Sequence, residues 1–423
     1  MANEERPAFV AGAPQTTPAA GGEANFTAAL LQATLSARRV TAMVALLYDG
    51  PQVWAFAVSL GLGEDPRRVE ALGPALAMAA GADSARVARD AGKLLIEIPK
   101  PSEKRTILRA DRLETLTPSC ATAVSLGLAT GGRPVWFDLA DERTCHVIIG
   151  GTTGSGKTVA LHWLLTRLLL QNGPDTLRVL ALDPKRGELQ PFTHVPHLLH
   201  PVTSNPLDVA RVLAWVEGEL DRRAATSTRR PRLVVILEEV ADVLKTTPTA
   251  GDLLARIAQI GRGLGVHLVA TTQQPGARSL GDALANFPAR LLGRVASATL
   301  TYGAAGRART MADQLLGRGD FLLITADGTI RLQVPMMTGR QYRSLPRADQ
   351  VDTLDSDLPS LALFADLARD TRGGQGRREL GPAEYARIDQ ALADGATADD
   401  LRGEFGIGWD RARRLRDNYR GRG

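Results

Sequence analysis

The 423-residue chain predicts an α/β fold, on three observations. From about residue 141 to 338, short apolar runs rich in Val, Ile and Leu alternate with stretches of helical length, the pattern of a parallel sheet covered by helices. One run, Val147-Ile148-Ile149, leads into a glycine-rich loop and then a strongly apolar helix over 159–170. Other runs end in polar clusters, and ligands in such sheets sit at the carboxyl ends of strands.

That loop is the most informative stretch. In HVIIGGTTGSGKT, residues 146–158, the spacing from Gly151 through Gly156, Lys157 and Thr158 is G-x-x-x-x-G-K-[ST], the phosphate-binding loop of nucleotide triphosphatases. Backbone N–H groups of Gly151, Thr152, Thr153, Gly154, Ser155 and Gly156, then of Lys157, Thr158 and Val159, can wrap phosphates at the positive end of the following helix. Lys157 reaches β and γ oxygens and Thr158 holds Mg²⁺. ATP and Mg²⁺ are the expected cofactors.

Composition bounds the rest. A 44% hydrophobic content suffices for globular cores, and 423 residues suggest two or three domains. The net charge of +5 permits a polyanionic partner. Two cysteines, Cys120 and Cys145, suggest a reducing compartment without a disulfide framework. No signal-peptide pattern is present, and the apolar run over 53–62 is too short to span a bilayer. A soluble, cytoplasmic protein without a membrane partner is expected.

Taken in order, residues 1–25 (rich in Ala, Gly, Pro and Thr) read as a disordered tail. Residues 26–140 form a small N-terminal α/β domain. Its strands are 41–47, 53–60, 94–98 and 133–138, with a turn at Asp49-Gly50-Pro51 and a helix over 69–80. Residues 141–345 carry the nucleotide site, with strands at 177–182, 233–237 and 266–271 and helices at 207–223 and 253–264. Residues 346–378 are a linker ending in the basic TRGGQGRR. Residues 379–423 hold three short helices spaced as a helix-turn-helix. There Thr397 caps the second helix with Asp400 three residues on, and Gly406-Ile407-Gly408 is the turn.

The chemistry follows the strand ends. Glu238 and Glu239 close an apolar strand; the first carboxylate orders Mg²⁺ through water and the second polarises the attacking water. Gln273, after the next strand, senses the γ-phosphate or places that water. Asp183, Lys185 and Glu188 either stand behind the phosphates or line a subunit contact. Arg262, at the end of the 253–264 helix, is either a catalytic arginine given to a neighbouring subunit or a basic residue favoured by the helix dipole. Arg411, Arg413 and Arg414 on the last helix fit phosphate contact and base readout in a major groove. His194, His197 and His200 lack partners at metal-ligand spacing.

Together these residues resemble the FtsK/SpoIIIE family of double-stranded DNA translocases over roughly residues 90–338 and the C-terminal unit. The resemblance runs through HVIIGGTTGSGKT, LALDPKRGEL, VPHLL at 195–199, LVVILEEVADVL, RIAQIGRGLGVHLVATTQQP, NFPARL, LLGRGDFL and FGIGWDRARRLRD. It implies a RecA-like P-loop ATPase motor assembled as a homohexameric ring, with ATP between subunits and duplex DNA in the channel. Arg262 then matches the family's trans-acting arginine finger, Glu238 and Glu239 its Asp-Glu pair, Gln273 its sensor glutamine, and His146 a histidine ahead of the loop. Residues 379–423 look like the family's γ domain, which reads oriented DNA.

The departures are also specific. Glu238 replaces Asp, and Gln274 replaces the arginine of T-Q-R-P. The insertion at 224–230 is short, the γ-domain wing has no counterpart, and no membrane-spanning N-terminal region is present. Lysines of the DNA-facing loops are absent, leaving Arg278, Arg307 and Arg309. The expected function is ATP-driven movement or transfer of chromosomal, plasmid or phage DNA, with a recombinase or a plasmid or phage protein as further partner. The alternatives are a TraB-like conjugative transfer motor, a HerA-like end-processing motor, and a nucleotide-switched DNA-binding protein with little turnover.

Overall fold

The structure, a computed structural model, describes residues 22–185, 187–247, 250–276, 286–297, 303–306, 310–354, 358 and 382–420. The chain falls into two compact units interleaved in sequence. Met1–Asp138, Ile149–Leu168 and Ala289–Arg343 make the first; Leu139–Ile148, Leu169–Pro288 and Ser344–Gly423 make the second. Among the described residues, no helix is long and apolar enough to cross a membrane.

In the first unit, α1 (Gly22–Ala37) packs with an antiparallel sheet of β1 (Ala42–Asp49), β2 (Val53–Leu60), β3 (Arg86–Asp90) and β4 (Lys93–Pro99) in the order β1-β2-β4-β3. Leu31, Leu35, Phe56, Leu76 and Ile96 fill its core. Residues 22–25, expected in the tail, already belong to α1. Alanine-rich sequence offers little hydrophobic contrast yet favours helix. The helix expected over 69–80 is two, α2 (Pro66–Ala71) and α3 (Gly73–Ala79), with Pro74 in the first turn of α3. A proline there has no N–H to continue the preceding helix.

The unit's second sheet runs β6 (Pro134–Asp138), β5 (Ala123–Ala129), β13 (Gly328–Gln333), β12 (Asp320–Thr325), β11 (Ala289–Leu292) and then the end of β7 (Val147–Gly150). A tight hairpin pairs Thr325 with Gly328, so β11 to β13 run antiparallel rather than continuing the expected parallel pattern. α5 (Lys157–Gln171) buries Trp163, whose indole N–H donates to the Ser125 carbonyl at 2.7 Å.

The second unit holds the parallel sheet. β9 (Arg232–Leu237) lies between β8 (Leu177–Leu182) and β10 (Val266–Thr272). Every residue from Leu233 to Leu237 is buried, as parallel strands covered on both faces require. α6 (Pro206–Thr226) starts at an Asn205 cap whose side chain accepts from the Leu207 N–H, and packs with α7 (Val240–Thr246) and α8 (Ala250–Ile260). α8 ends at Ile260, so Arg262 sits in a 3₁₀ turn, Gly261–Leu264, rather than closing the helix. The chain turns there because Gly261 lies against Val266; a Cβ on it would meet the Val266 carbonyl oxygen at 2.7 Å.

Three C-terminal helices, Pro382–Ala393, Ala398–Phe405 and Trp409–Arg420, enclose a core of Tyr385, Ile388, Leu401, Phe405, Ala412 and Leu415. The expected capping box is formed: Thr397 accepts from the Asp400 N–H while Asp400 accepts from the Thr397 N–H. Gly406 ends that helix in the left-handed conformation, φ +61°.

Candidate functional site

The loop between β7 and α5 owes its shape to glycine. Gly151, Gly154 and Gly156 have φ of +148°, +80° and +103°, values that a residue with a Cβ rarely adopts. A Cβ on Gly156 would also lie 2.8 Å from the Gly319 nitrogen. The loop is tied down from behind. Thr152 N–H donates to the Arg294 carbonyl at 2.8 Å, Arg318 N–H to Gly154 at 3.1 Å and Gly319 N–H to Ser155 at 2.9 Å. Lys157 is buried, and its ammonium donates to the Gly151 and Thr152 carbonyls at 2.8 and 3.2 Å. Thr153 and Gly154 are exposed at the tip, and Thr158 and Val159 are half-buried on the first turn of α5. All these residues belong to the first unit.

The acidic pair belongs to the second unit, and strand register builds its surroundings. Leu182 of β8 pairs with Leu237 of β9, which pairs with Ala270 of β10. Asp183, Glu238 and Thr271 therefore stand level. Thr271 Oγ1 donates to Glu238 Oε2 at 2.5 Å and accepts from the Glu239 N–H at 3.0 Å. Burial, reinforced by Glu188, Asp183 and Glu239, pushes Glu238 up to about 7, against the Thr271 hydrogen bond.

Glu239 adopts a left-handed φ of +51° as α7 begins. A residue with a Cβ holds that conformation only where its surroundings over-determine it. Here Thr272 Oγ1 donates to Oε1 at 2.9 Å, and the Gln273 N–H donates to both carboxylate oxygens at 3.1 Å. Lys185 Nζ lies 3.0 Å from Asp242 and 3.8 Å from Glu239. The Asp242 hydrogen bond holds its ammonium above the ordinary lysine range. The Gln273 side chain is exposed.

His146 is buried, accepts at Nδ1 from the Leu268 N–H at 3.0 Å, and falls to about 4 through burial. It is therefore a neutral imidazole protonated at Nε2. Arg262 is exposed and pairs with Glu142 at 2.9 Å.

The other predicted residues divide. Arg411 is half-buried and donates to the Tyr385 hydroxyl at 2.8 Å; Arg413 is exposed, 3.8 Å from Asp417; Arg414 is half-buried. Arg278, Arg307 and Arg309 lie outside the described residues. His197 Nε2 bonds the Asn172 carbonyl at 2.7 Å, and the His200 ring accepts from the Leu354 N–H. Among the described residues no group of His, Cys, Asp and Glu is arranged to hold a metal by itself. Sequence reasoning missed the grip on the loop from Arg318 and Gly319; the LLGRGDFL stretch held that signal, as a glycine pair around an arginine.

Residues 109–227, which take in the loop and stop short of Glu238, match the FtsK/SpoIIIE family. Across 92% of its length the chain is 31% identical to the DNA translocase SftA of Bacillus subtilis, over 43% of that protein. Across 93% it is 30% identical to the DNA translocase FtsK of Lactiplantibacillus plantarum, over 53% of that protein. The chain thus spans about half the length of the curated relatives it matches. Among solved structures, the pCW3 conjugation coupling protein TcpA, monomer form with ATPγS, has a TM-score of 0.48 and 17% identity, covering 75% of this chain and 96% of that one. The chain therefore carries an FtsK/SpoIIIE family domain at residues 109–227 and is homologous to named DNA translocases over 92% of its length.

Proposed function

We propose that this chain is an ATP-driven motor of the cytoplasm that moves duplex DNA, working as a homohexameric ring. The observation that carries the hydrolytic part is Glu239. Its carboxylate is buried at a strand end, aimed by three hydrogen bonds, on a residue held in a strained conformation. The DNA part rests on likeness to relatives named DNA translocases.

The residues fit a magnesium nucleotide. The positive-φ glycines leave backbone room for phosphate oxygens, and Lys157 already meets acceptor oxygens. Among the described residues Asp183 Oδ1 is buried without a hydrogen-bond partner, on the same side of the sheet as Glu238, an arrangement suited to magnesium-bound water. When bound, the nucleotide supplies the phosphoanhydride bond whose hydrolysis drives movement.

In this reading the N–H groups of 151–156 would orient the phosphates, Lys157 would balance their charge, and Thr158 would hold magnesium. Glu238, once ionised, would hold magnesium through water. Glu239 takes a proton from the attacking water, and the Gln273 amide places that water. Arg262 gives up its Glu142 partner to reach a neighbouring subunit's nucleotide. Arg411, Arg413 and Arg414, with Arg278, Arg307 and Arg309, contact DNA phosphates.

ATP turnover measured with and without duplex DNA tests the reading. Several-fold stimulation by DNA, lost in Glu239→Gln, is the expected result. Turnover indifferent to DNA would leave a nucleotide-binding protein rather than a motor.

A further inference from the structure

Three successive residues, Gly317, Arg318 and Gly319, adopt left-handed φ of +75°, +51° and +91°. Glycine does so freely, whereas Arg318 carries a Cβ and does so at a cost. This turn grips the phosphate loop through its Arg318 and Gly319 N–H groups on the Gly154 and Ser155 carbonyls. A peptide unit is planar, so fixing the Ser155 carbonyl also fixes where the Gly156 N–H points. The turn thus aims a group that meets phosphate.

Two buried side-chain amides hold the turn itself. Gln333 Nε2 donates to the Arg318 carbonyl at 2.9 Å; Gln52 Nε2 donates to the same carbonyl at 3.1 Å and to that of Gly317 at 3.2 Å. Gln333 ends β13, beside the turn. Gln52 comes from elsewhere, the bend between β1 and β2, where its own carbonyl accepts from the Lys100 N–H at 2.9 Å. A second tie runs parallel to it. Asp320, directly after the turn, pairs with Arg331 at 2.8 Å, and Arg331 pairs with Glu97 of β4 at 3.1 Å. All of this lies within the first unit.

We propose that Gln52 is a positioning residue for the phosphate loop. Through the Arg318 carbonyl and the turn's amides, the four-stranded N-terminal sheet sets how well the loop receives a nucleotide. The proposal rests on the nucleotide-site reading above and adds a part played by the sheet.

The test is affinity of the full chain for a fluorescent, slowly hydrolysed ATP analogue with Mg²⁺, in two backgrounds. Gln52→Ala weakens binding about tenfold, the scale of one or two lost hydrogen bonds. In an Arg318→Gly background the same change costs less than about threefold, because glycine holds the left-handed turn without a brace. A Gln52→Ala effect under twofold, or an equal loss in both backgrounds, overturns the proposal, since a role confined to the sheet would ignore residue 318. Should Gln52→Ala fail to melt cooperatively, Gln333→Ala in the same two backgrounds carries the same expectation and the same overturning results. Lys157→Ala serves as the reference: analogue binding that survives it sinks the nucleotide site itself, not the brace.

Discussion

The phosphate loop and the acidic end of β9 are built by different means. The loop owes its shape first to residues inside its own thirteen-residue stretch, positive-φ glycines and a lysine that bonds carbonyls five and six residues before it, and is tied from behind by Arg294, Arg318 and Gly319. The acidic end is shaped from outside. Glu238 and Glu239 take their hydrogen bonds from Thr271, Thr272 and Gln273, more than 30 residues on, which only strand register brings alongside. Loss of the Lys157 side chain should therefore act locally. Damage to the acids should spread into the stability of the sheet.

The largest expected effect falls on turnover. Glu239→Gln keeps the shape and most hydrogen bonds but cannot take a proton, so ATP hydrolysis drops on the order of 1,000-fold. Nucleotide affinity should stay within about threefold by fluorescence titration; an equal loss of affinity would mean that Glu239 serves binding instead.

Next in size is a pH-dependent gain in stability. The folded Glu238 sits at about 7 against an ordinary 4.5. Between those values the folded chain keeps a proton that the unfolded chain has released, so stability falls as pH rises through that window. The cost is complete above about 7 and amounts to about 3 kcal/mol. Glu238→Gln should accordingly stabilise the chain against urea at pH 8 and make little difference at pH 4.5. The same gain at both pH values would rule out the raised carboxyl as its source.

Lys157→Ala should weaken nucleotide binding about 100-fold, the scale of losing a charged hydrogen-bond donor to phosphate, while the melting temperature without nucleotide moves little. A large loss of stability would contradict a local role for Lys157. The smallest effect is expected for Thr271→Val. It removes a donor to Glu238 and an acceptor for the Glu239 N–H, costing about 1–3 kcal/mol in denaturant unfolding. Here stability should change as well as turnover, the reverse of the Lys157 pattern.

The loop's glycines, its lysine, the apolar strands and the last helix pair with its Thr397 cap could all be read from the chain. Each rests on contacts between residues close in sequence, where spacing is geometry. The split of α2 from α3, the Arg262 turn and the antiparallel run β11 to β13 were not read, although Pro74 marks the first; the turn shows only once Val266 closes on Gly261, and the β11–β12 pairing only once the sheet has formed. Gly261 is such a case: it reads as a helix residue until Val266 packs against it.

From sequence alone came a glycine-rich loop with its lysine, an acidic strand end, and a resemblance to DNA translocases. Tertiary structure alone settled how those groups are held. It sets the burial that lifts Glu238, the Thr271 hydroxyl between the two acids, and the Gln52 amide behind the loop. The physical reason is range. A glycine's φ preference acts on its own residue, whereas burial and a hydrogen bond across 266 residues exist only once the chain has folded.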